Sequence, residues 1–214
     1  FDIKNFDVAI IDEASQIIEP QIVGVLSRVK KFILIGDEKQ LPAVVVQSPE
    51  LHACKNESLN NIELYSFAGS LFERLIHLAV KNNWRNAYSM LCYQARMHSE
   101  IMMLANELFY GNKLESIQIS KAYDSIIAEN PFLNKVFAGK RIAFIDVPTE
   151  PKAKINGTEA GLAAEISRQL HNALSNAGIE PSIGVIAPFR AQCALIQDFL
   201  DDDLKTKITV DTVE

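Results

Sequence analysis

Two adjacent carboxylates, Asp12 and Glu13, end a short apolar run, Phe6-Asp7-Val8-Ala9-Ile10-Ile11. Being neighbours, they point in different directions and can divide the labour of one reaction. One carboxylate can hold a hydrated Mg²⁺, an ion that takes few protein carboxylates and keeps several waters. The other can orient or deprotonate an attacking water. A second apolar run, Phe32-Ile33-Leu34-Ile35, stops at Gly36-Asp37, and Gln40 follows it. The Gln40 amide can hydrogen-bond both a water and a phosphate oxygen. Phosphoryl transfer needs this kind of positioning and charge management. An isolated Asp-Glu pair after an apolar run marks a helix start more often than a metal site. The argument therefore rests on three features together: IIDEAS, Glu19-Pro20 and LIGDEKQLP.

The two apolar runs suit buried parallel strands. Ligands of an open parallel sheet sit outside the carboxyl ends of its strands. Both polar turns fall at such ends and can face one site. Between the runs, Pro20 opens a helix with Glu19 near its start. Ile22, Val23, Leu26 and Val29 recur at helical spacing and pack that helix on the sheet. Gln47–Tyr65 reads as a loop. Ser66–Lys81 reads as a helix with Leu71, Leu75, Leu78 and Ala79 on one face, Phe72 and Ile76 beside it, Glu73-Arg74 solvated, and Asn82-Asn83 ending it. Ala87–Cys92 is expected to be a strand and Ser99–Phe109 a helix. Glu115–Lys140 is polar and irregular, Arg141–Val147 an apolar strand, and Pro148–Gly157 a loop. A long helix then runs to about Ala177, with Leu162, Ile166, Leu170 and Leu174 on one face and Gly178 as its terminating glycine. The strand Ser182–Ala187, a helix with Leu195, Ile196 and Phe199, and the strand Lys207–Val213 complete the pattern. Strands alternating with helices predict an α/β fold with mainly parallel sheets.

The 214 residues suffice for one large or two small domains, and a hydrophobic share of 48% supports a real core. No apolar run reaches the roughly 18–20 residues of a membrane span. The opening FDIKNFDV has neither the basic start nor the apolar middle of a signal peptide. Cys54, Cys92 and Cys193 form no CxxC pair, which argues against a zinc ribbon or a disulfide framework. Cys92 and Cys193 lie in apolar segments and are expected as buried thiols. A reducing, cytosolic-type compartment is the default expectation, or a nuclear one in a eukaryote. A net charge of −6 does not advertise nucleic-acid binding, yet a local groove matters more than the total.

The residues Asp12-Glu13-Ala14-Ser15-Gln16, Glu19-Pro20 and Gly36-Asp37-Glu38-Lys39-Gln40-Leu41-Pro42 resemble the Walker B motif and motif III of superfamily 1 helicases. The nearest branch is the one containing the nonsense-mediated mRNA decay helicase and senataxin. Ser70-Leu71-Phe72-Glu73-Arg74-Leu75 resembles the helix that joins the two motor domains in that family. Gln94, Arg96, Met97, His98, Asn106, Phe109, Tyr110 and Leu114 match its motif IV, although Ala95 stands for the family's tyrosine and Ser99 for its proline. Asn156 and Glu159 match a helix start, Pro188-Phe189-Arg190-Ala191-Gln192 resembles the family's TPY..Q segment, and Val210-Asp211-Thr212-Val213-Glu214 resembles the opening of motif V.

The resemblance implies two RecA-like domains of the P-loop NTPase type, both incomplete here. Residues 1–66 would be the second half of the first domain, 67–85 a connecting helix, and 86–214 most of the second. It implies ATP and Mg²⁺ as cofactors and single-stranded DNA or RNA as partner, in a monomeric motor. Asp12 would hold the metal through water, and Glu13 would be the general base. Gln40 would couple the γ-phosphate to the strand-binding face, and Gln94 would lie at the nucleotide. Arg96 would be an arginine finger, since a planar, always-charged fork fits phosphate oxygens. Pro188, Phe189, Arg190 and Thr212 would meet the nucleic acid, with stacking and charge neutralisation supplying the affinity. The alternative for Phe189 is a core position, and for Arg190 a solvated one. His98 is expected to be structural, because no second ligand sits at metal spacing. No GxxxxGK(S/T) loop occurs in the chain, so the isolated piece is expected to be inactive. A second reading is a non-catalytic binding or scaffold module that keeps the motor fold. A metal-dependent hydrolase using Asp12 and Glu13 alone would lack the further ligands of a two-metal site.

Overall fold

In a computed structural model the described residues are 6–117, 124–148 and 154–213. Glu214 of the VDTVE segment, residues 118–123 of the irregular stretch and 149–153 of the loop lie outside them. The chain divides into two units, Phe1–Leu91 and Cys92–Glu214.

The first unit is built on β1 (Phe6–Ile11), α1 (Glu19–Leu26) and β2 (Val29–Leu34). β1 and β2 pair in parallel, from Phe6 opposite Val29 to Ile11 opposite Leu34. Pro20 sits in the first turn of α1, where its missing N–H costs nothing, and Glu19 lies at the positive end of the helix. The strands are not buried on both faces as their apolar runs predict. Phe6, Val8, Phe32 and Ile33 are exposed, and Ile10 is 66% exposed. Among the described residues this ladder has only two strands, and a lone pair cannot cover itself. Of the expected helix face only Ile22 is buried; Val23 is exposed and Val29 opens β2.

The expected loop Gln47–Tyr65 contains two single-turn helices, α2 (Pro49–His52) and α3 (Glu57–Asn60). Each is too short to show a periodicity. Asn56 caps α3 by accepting the Leu59 amide at 3.2 Å. α4 (Leu71–Lys81) follows, with Ser70 accepting the Glu73 amide at 3.1 Å and Asn82 at its end, and Asn83 in the left-handed region. Leu71, Phe72 and Ala79 are buried on it. Arg74 is not solvated as expected: it is held in an ion pair with Glu19.

The expected strand Ala87–Cys92, at the junction of the two units, does not form; pairing begins only where a partner exists. β3 (Tyr93–Gln94) and β4 (Glu115–Ser116) run parallel around α5 (Ser99–Phe109). The stretch read as irregular contains α6 (Asp124–Glu129) and α7 (Pro131–Phe137), the latter capped by Asn130, which accepts the amides of Phe132 and Leu133. Arg141–Val147 has strand composition but no ladder partner among the described residues, and Phe144 is 93% exposed.

The best-packed part is α8 (Gly157–Asn176), β5 (Ile183–Ile186), α9 (Arg190–Phe199) and β6 (Ile208–Asp211). β5 and β6 are parallel, with Ile186 opposite Asp211. Their core joins Ala160, Ala164, Ala187, Cys193, Ile196, Leu200, Leu204, Ile208 and Val210. The fully buried stripe of α8 is Ala160, Ala164, Ser167 and His171, while Leu162, Ile166, Leu170 and Leu174 are only half-buried. Small side chains let this helix approach its neighbours closely, so the larger ones flank the contact instead of filling it. Gly178 ends α8 at φ 74°, as a helix-terminating glycine does. Cys193 and Cys54 are buried, whereas Cys92 is only partly so. The whole is a mixed α/β fold whose sheet pairs are all parallel among the described residues, as expected for pieces of RecA-like domains. No described helix is long and apolar enough to cross a membrane.

Asn156 caps α8 by accepting the Thr158 and Glu159 amides at 3.0 and 3.1 Å, and its Nδ2 donates to the Pro148 carbonyl at 2.9 Å. Asn156→Ala should lower stability by about 1–2 kcal/mol, read as an earlier midpoint in urea denaturation of the second unit's signal.

Candidate active site

In the first unit, the parallel register ends both strands at one level, so the turns after Ile11 and after Leu34 lie side by side. The ladder continues past the strand ends: Ile35 donates its amide to the Ile11 carbonyl and Ala14 donates to the Ile35 carbonyl, both at 2.8 Å. The buried Ser15 hydroxyl accepts the Asp37 amide at 3.3 Å. Gly36 makes this approach possible, since a Cβ there would lie 2.9 Å from the Ser15 amide nitrogen. Asp12 and Glu13 are therefore joined to the Asp37–Gln40 turn at a single strand tip.

Glu13 adopts a left-handed backbone, φ 51° and ψ 36°, unusual for a residue with a Cβ. That conformation turns the chain sharply between the carboxylates and the 3-10 turn Ala14–Gln16. Asp12 Oδ1 accepts the Glu13 amide at 3.0 Å, and Gln16 Nε2 donates to Glu13 Oε2 at 3.3 Å. Both carboxylates remain exposed. An exposed carboxylate with one oxygen left for outer ligands fits an ion that keeps most of its water. Groups of three or more His, Cys, Asp or Glu able to hold a metal are absent among the described residues. Gln40 donates from Nε2 to Asp37 Oδ2 at 2.8 Å, and Asp37 Oδ1 accepts the Lys39 amide at 3.0 Å, so Asp37 sets the direction of the Gln40 side chain.

In the second unit, Arg96 is exposed on the loop after β3. Gln94 holds that loop with a fully used amide. Its Nε2 donates to the Met97 carbonyl at 2.9 Å and to Ser116 Oγ at 2.8 Å. Its Oε1 accepts the amides of Arg96 and Met97 at 3.0 and 2.7 Å. Gln94 thus supports the residue expected to touch phosphate, and a contact of its own would break one of four bonds. His98 is structural, as expected: its Nδ1 accepts the Glu100 amide at the start of α5. The Arg141 amide, and then nearby Lys140, His98 and Arg141 charge, hold the half-buried Glu100 carboxyl below its usual range.

The β5–β6 sheet brings Pro188, Phe189, Arg190 and Thr212 to one end, because Ala187 donates its amide to the Asp211 carbonyl just past the last paired residues. Phe189 is 44% exposed, not core, and the Lys154 ammonium lies 5.8 Å from its ring centroid. Arg190 is exposed. Gln192 is buried, donates to the Asn156 carbonyl at 3.0 Å and accepts the Asn156 amide at 2.7 Å, which ties the starts of α8 and α9 together. The tertiary partners of Ser15, Glu19, Arg74 and Lys154 were not foreseen from the sequence; hydroxyl and charge alone do not reveal them.

Two family models, each described as an AAA domain, match residues 67–214 and 1–48. The chain belongs to the AAA-domain helicase family of superfamily 1. It is 30% identical, over its full length, to the DNA replication ATP-dependent helicase/nuclease DNA2 of Bos taurus, of which it covers 20%. It is 33% identical over 99% of its length to the Gallus gallus protein of the same name, covering 18% of it. It is 28% identical over 98% of its length to the DNA polymerase alpha-associated DNA helicase A of Saccharomyces cerevisiae, covering 31% of that protein. The chain therefore spans only 18–31% of the length of these relatives. In this helicase piece, Gly36→Ala should force the two turns apart, and hydrogen exchange at the Ala14 and Asp37 amides should quicken relative to the parent. Gln94→Leu should likewise deprotect the Met97 amide while leaving exchange in α8 unchanged.

Proposed function

We propose that the parent protein is an ATP-dependent helicase motor that moves on single-stranded nucleic acid. The observation that carries this reading is the joined strand tip, where the Asp12-Glu13 pair and the Gln40-bearing turn are clamped through Ser15 and Gly36. Asp12 would hold a hydrated Mg²⁺, and such an ion would supply neutralising charge to the phosphates. Glu13 accepts a proton from the attacking water. Gln40, aimed by Asp37, bonds the γ-phosphate side of the nucleotide and reports its presence to the rest of the unit. Arg96, on a loop braced by Gln94, supplies positive charge to the transferring phosphoryl group. Phe189 stacks on a base while Arg190 and Thr212 meet the backbone. Pro188 fixes the turn that presents them.

Residues 1–66 and 86–214 are then parts of two RecA-like domains joined by 67–85. The relatives' printed names favour DNA as the strand, and with it an intracellular, nuclear setting in a eukaryote. The protein acts as a monomer. This chain by itself turns over no ATP, because it contains no GxxxxGK(S/T) loop to cradle the phosphates.

In the full-length protein, Glu13→Gln should keep binding of a fluorescent ATP analogue and lower turnover by about 10²–10⁴-fold. Arg96→Ala should lower turnover by about 10³–10⁵-fold. Unchanged steady-state hydrolysis in Glu13→Gln would falsify the base assignment.

A further inference from the structure

The Glu19–Arg74 pair has no role in the chemistry above, yet it is among the most buried charge contacts of the first unit. The Glu19 side chain is 7% exposed and that of Arg74 15%. Arg74 Nε donates to Glu19 Oε2 at 2.8 Å and Nη2 to Oε1 at 2.5 Å, a two-pronged contact, while Nη1 donates to the Ile62 carbonyl at 2.9 Å. Two backbone links run beside it. Ile18 bridges Ser70, and Glu19 donates its amide to the Gly69 carbonyl at 2.9 Å. The pair thus pins the segment that follows the Asp12-Glu13 turn to the first turn of α4. α4 is the last helix of the first unit before the chain enters the second.

A buried ion pair is weak evidence for stability, because desolvation offsets the attraction. Its specific product is geometry: a planar fork on a carboxylate fixes distance and angle together. We propose that Glu19 and Arg74 are positioning residues that couple α4 to the Asp12-Glu13 turn, so that a shift of α4 changes the aim of the Glu13 carboxylate. The chain of contact is continuous. Arg74 holds Glu19, Glu19 opens α1, and the residues before it form the buried Ala14-Ser15 turn, which packs beneath α4 and clamps the Asp37 amide. This inference rests on the helicase reading, in which the strand bound at one unit must alter hydrolysis at the other. The pair belongs to that transmission, and hydrolysis without strand does not need it.

The test uses full-length protein, MgATP and a single-stranded oligothymidine. Arg74→Lys keeps the charge and loses the fork. The double variant Glu19→Leu with Arg74→Met removes both charges at similar volume, which guards against an unfolded single variant. In both, the basal turnover, the KM for ATP without strand and the melting temperature should stay near the parent's. The strand-stimulated kcat should fall about tenfold, within the range of coupling free energies between sites. Undiminished stimulation in the folded double variant would overturn the coupling. So would an equal fall of basal and stimulated turnover, which would mark the pair as a static support. A parent protein that hydrolyses ATP without any stimulation by strand, or not at all, would instead overturn the motor reading, and the coupling with it.

Discussion

The structure of the first unit depends on how closely two backbones meet beyond the last paired residues of β1 and β2. A parallel ladder ends wherever its strands diverge, and here divergence is delayed by one glycine. With no Cβ at Gly36, the chain after β2 lies against the Ser15 amide, and the hydroxyl of Ser15 takes the next amide along. Register then does the rest: Ile11 opposite Leu34 sets both polar turns at the same height. An exposed carboxylate pair and an amide-bearing turn become one surface through contacts that involve no catalytic group.

The second unit repeats the logic with different chemistry. β5 and β6 end together at Ile186 and Asp211, and the residues beyond them carry an aromatic ring, a guanidinium and a hydroxyl. Here the brace is not a close approach but a buried amide. Gln192 grips the backbone of Asn156 from both sides, and Asn156 caps α8. Gln94 does the same for the Arg96 loop. In three places, Ser15, Gln94 and Gln192, a polar side chain hydrogen-bonded to backbone holds a turn beside an exposed side chain. This is how flexible-looking segments present side chains in fixed directions.

Much of this was legible from the chain alone. Apolar runs ending in polar turns gave β1, β2, β5 and β6, and Pro20, Asn82 and Gly178 marked helix ends by rules of local geometry, whereas the cap at Ser70, inside the helix expected from Ser66, came only with the structure. Asp12, Glu13 and Gln40 were readable as one cluster because parallel strands end at one side. Other features were hidden for physical reasons. Arg141–Val147 has the composition of a strand, but composition cannot supply a neighbour to bond. The single turns α2 and α3, and the short helices α6 and α7, have too little length for a period to emerge. The α8 face was misjudged because tight packing selects alanine and serine, which hydrophobicity undervalues. Arg74 looked solvated beside Glu73; only the fold reveals that Glu19 lies across from it.

The left-handed backbone at Glu13 has a bearing on any attempt to make such a protein sturdier. Glycine, or asparagine, suits that conformation best, and either would relieve local strain. Neither carries a carboxylate, so a search that rewards thermal robustness alone would drift toward discarding the group expected to accept the proton. Under the proposed role of Glu13, robustness and turnover pull in opposite directions at this one position, and the chain keeps the strained choice.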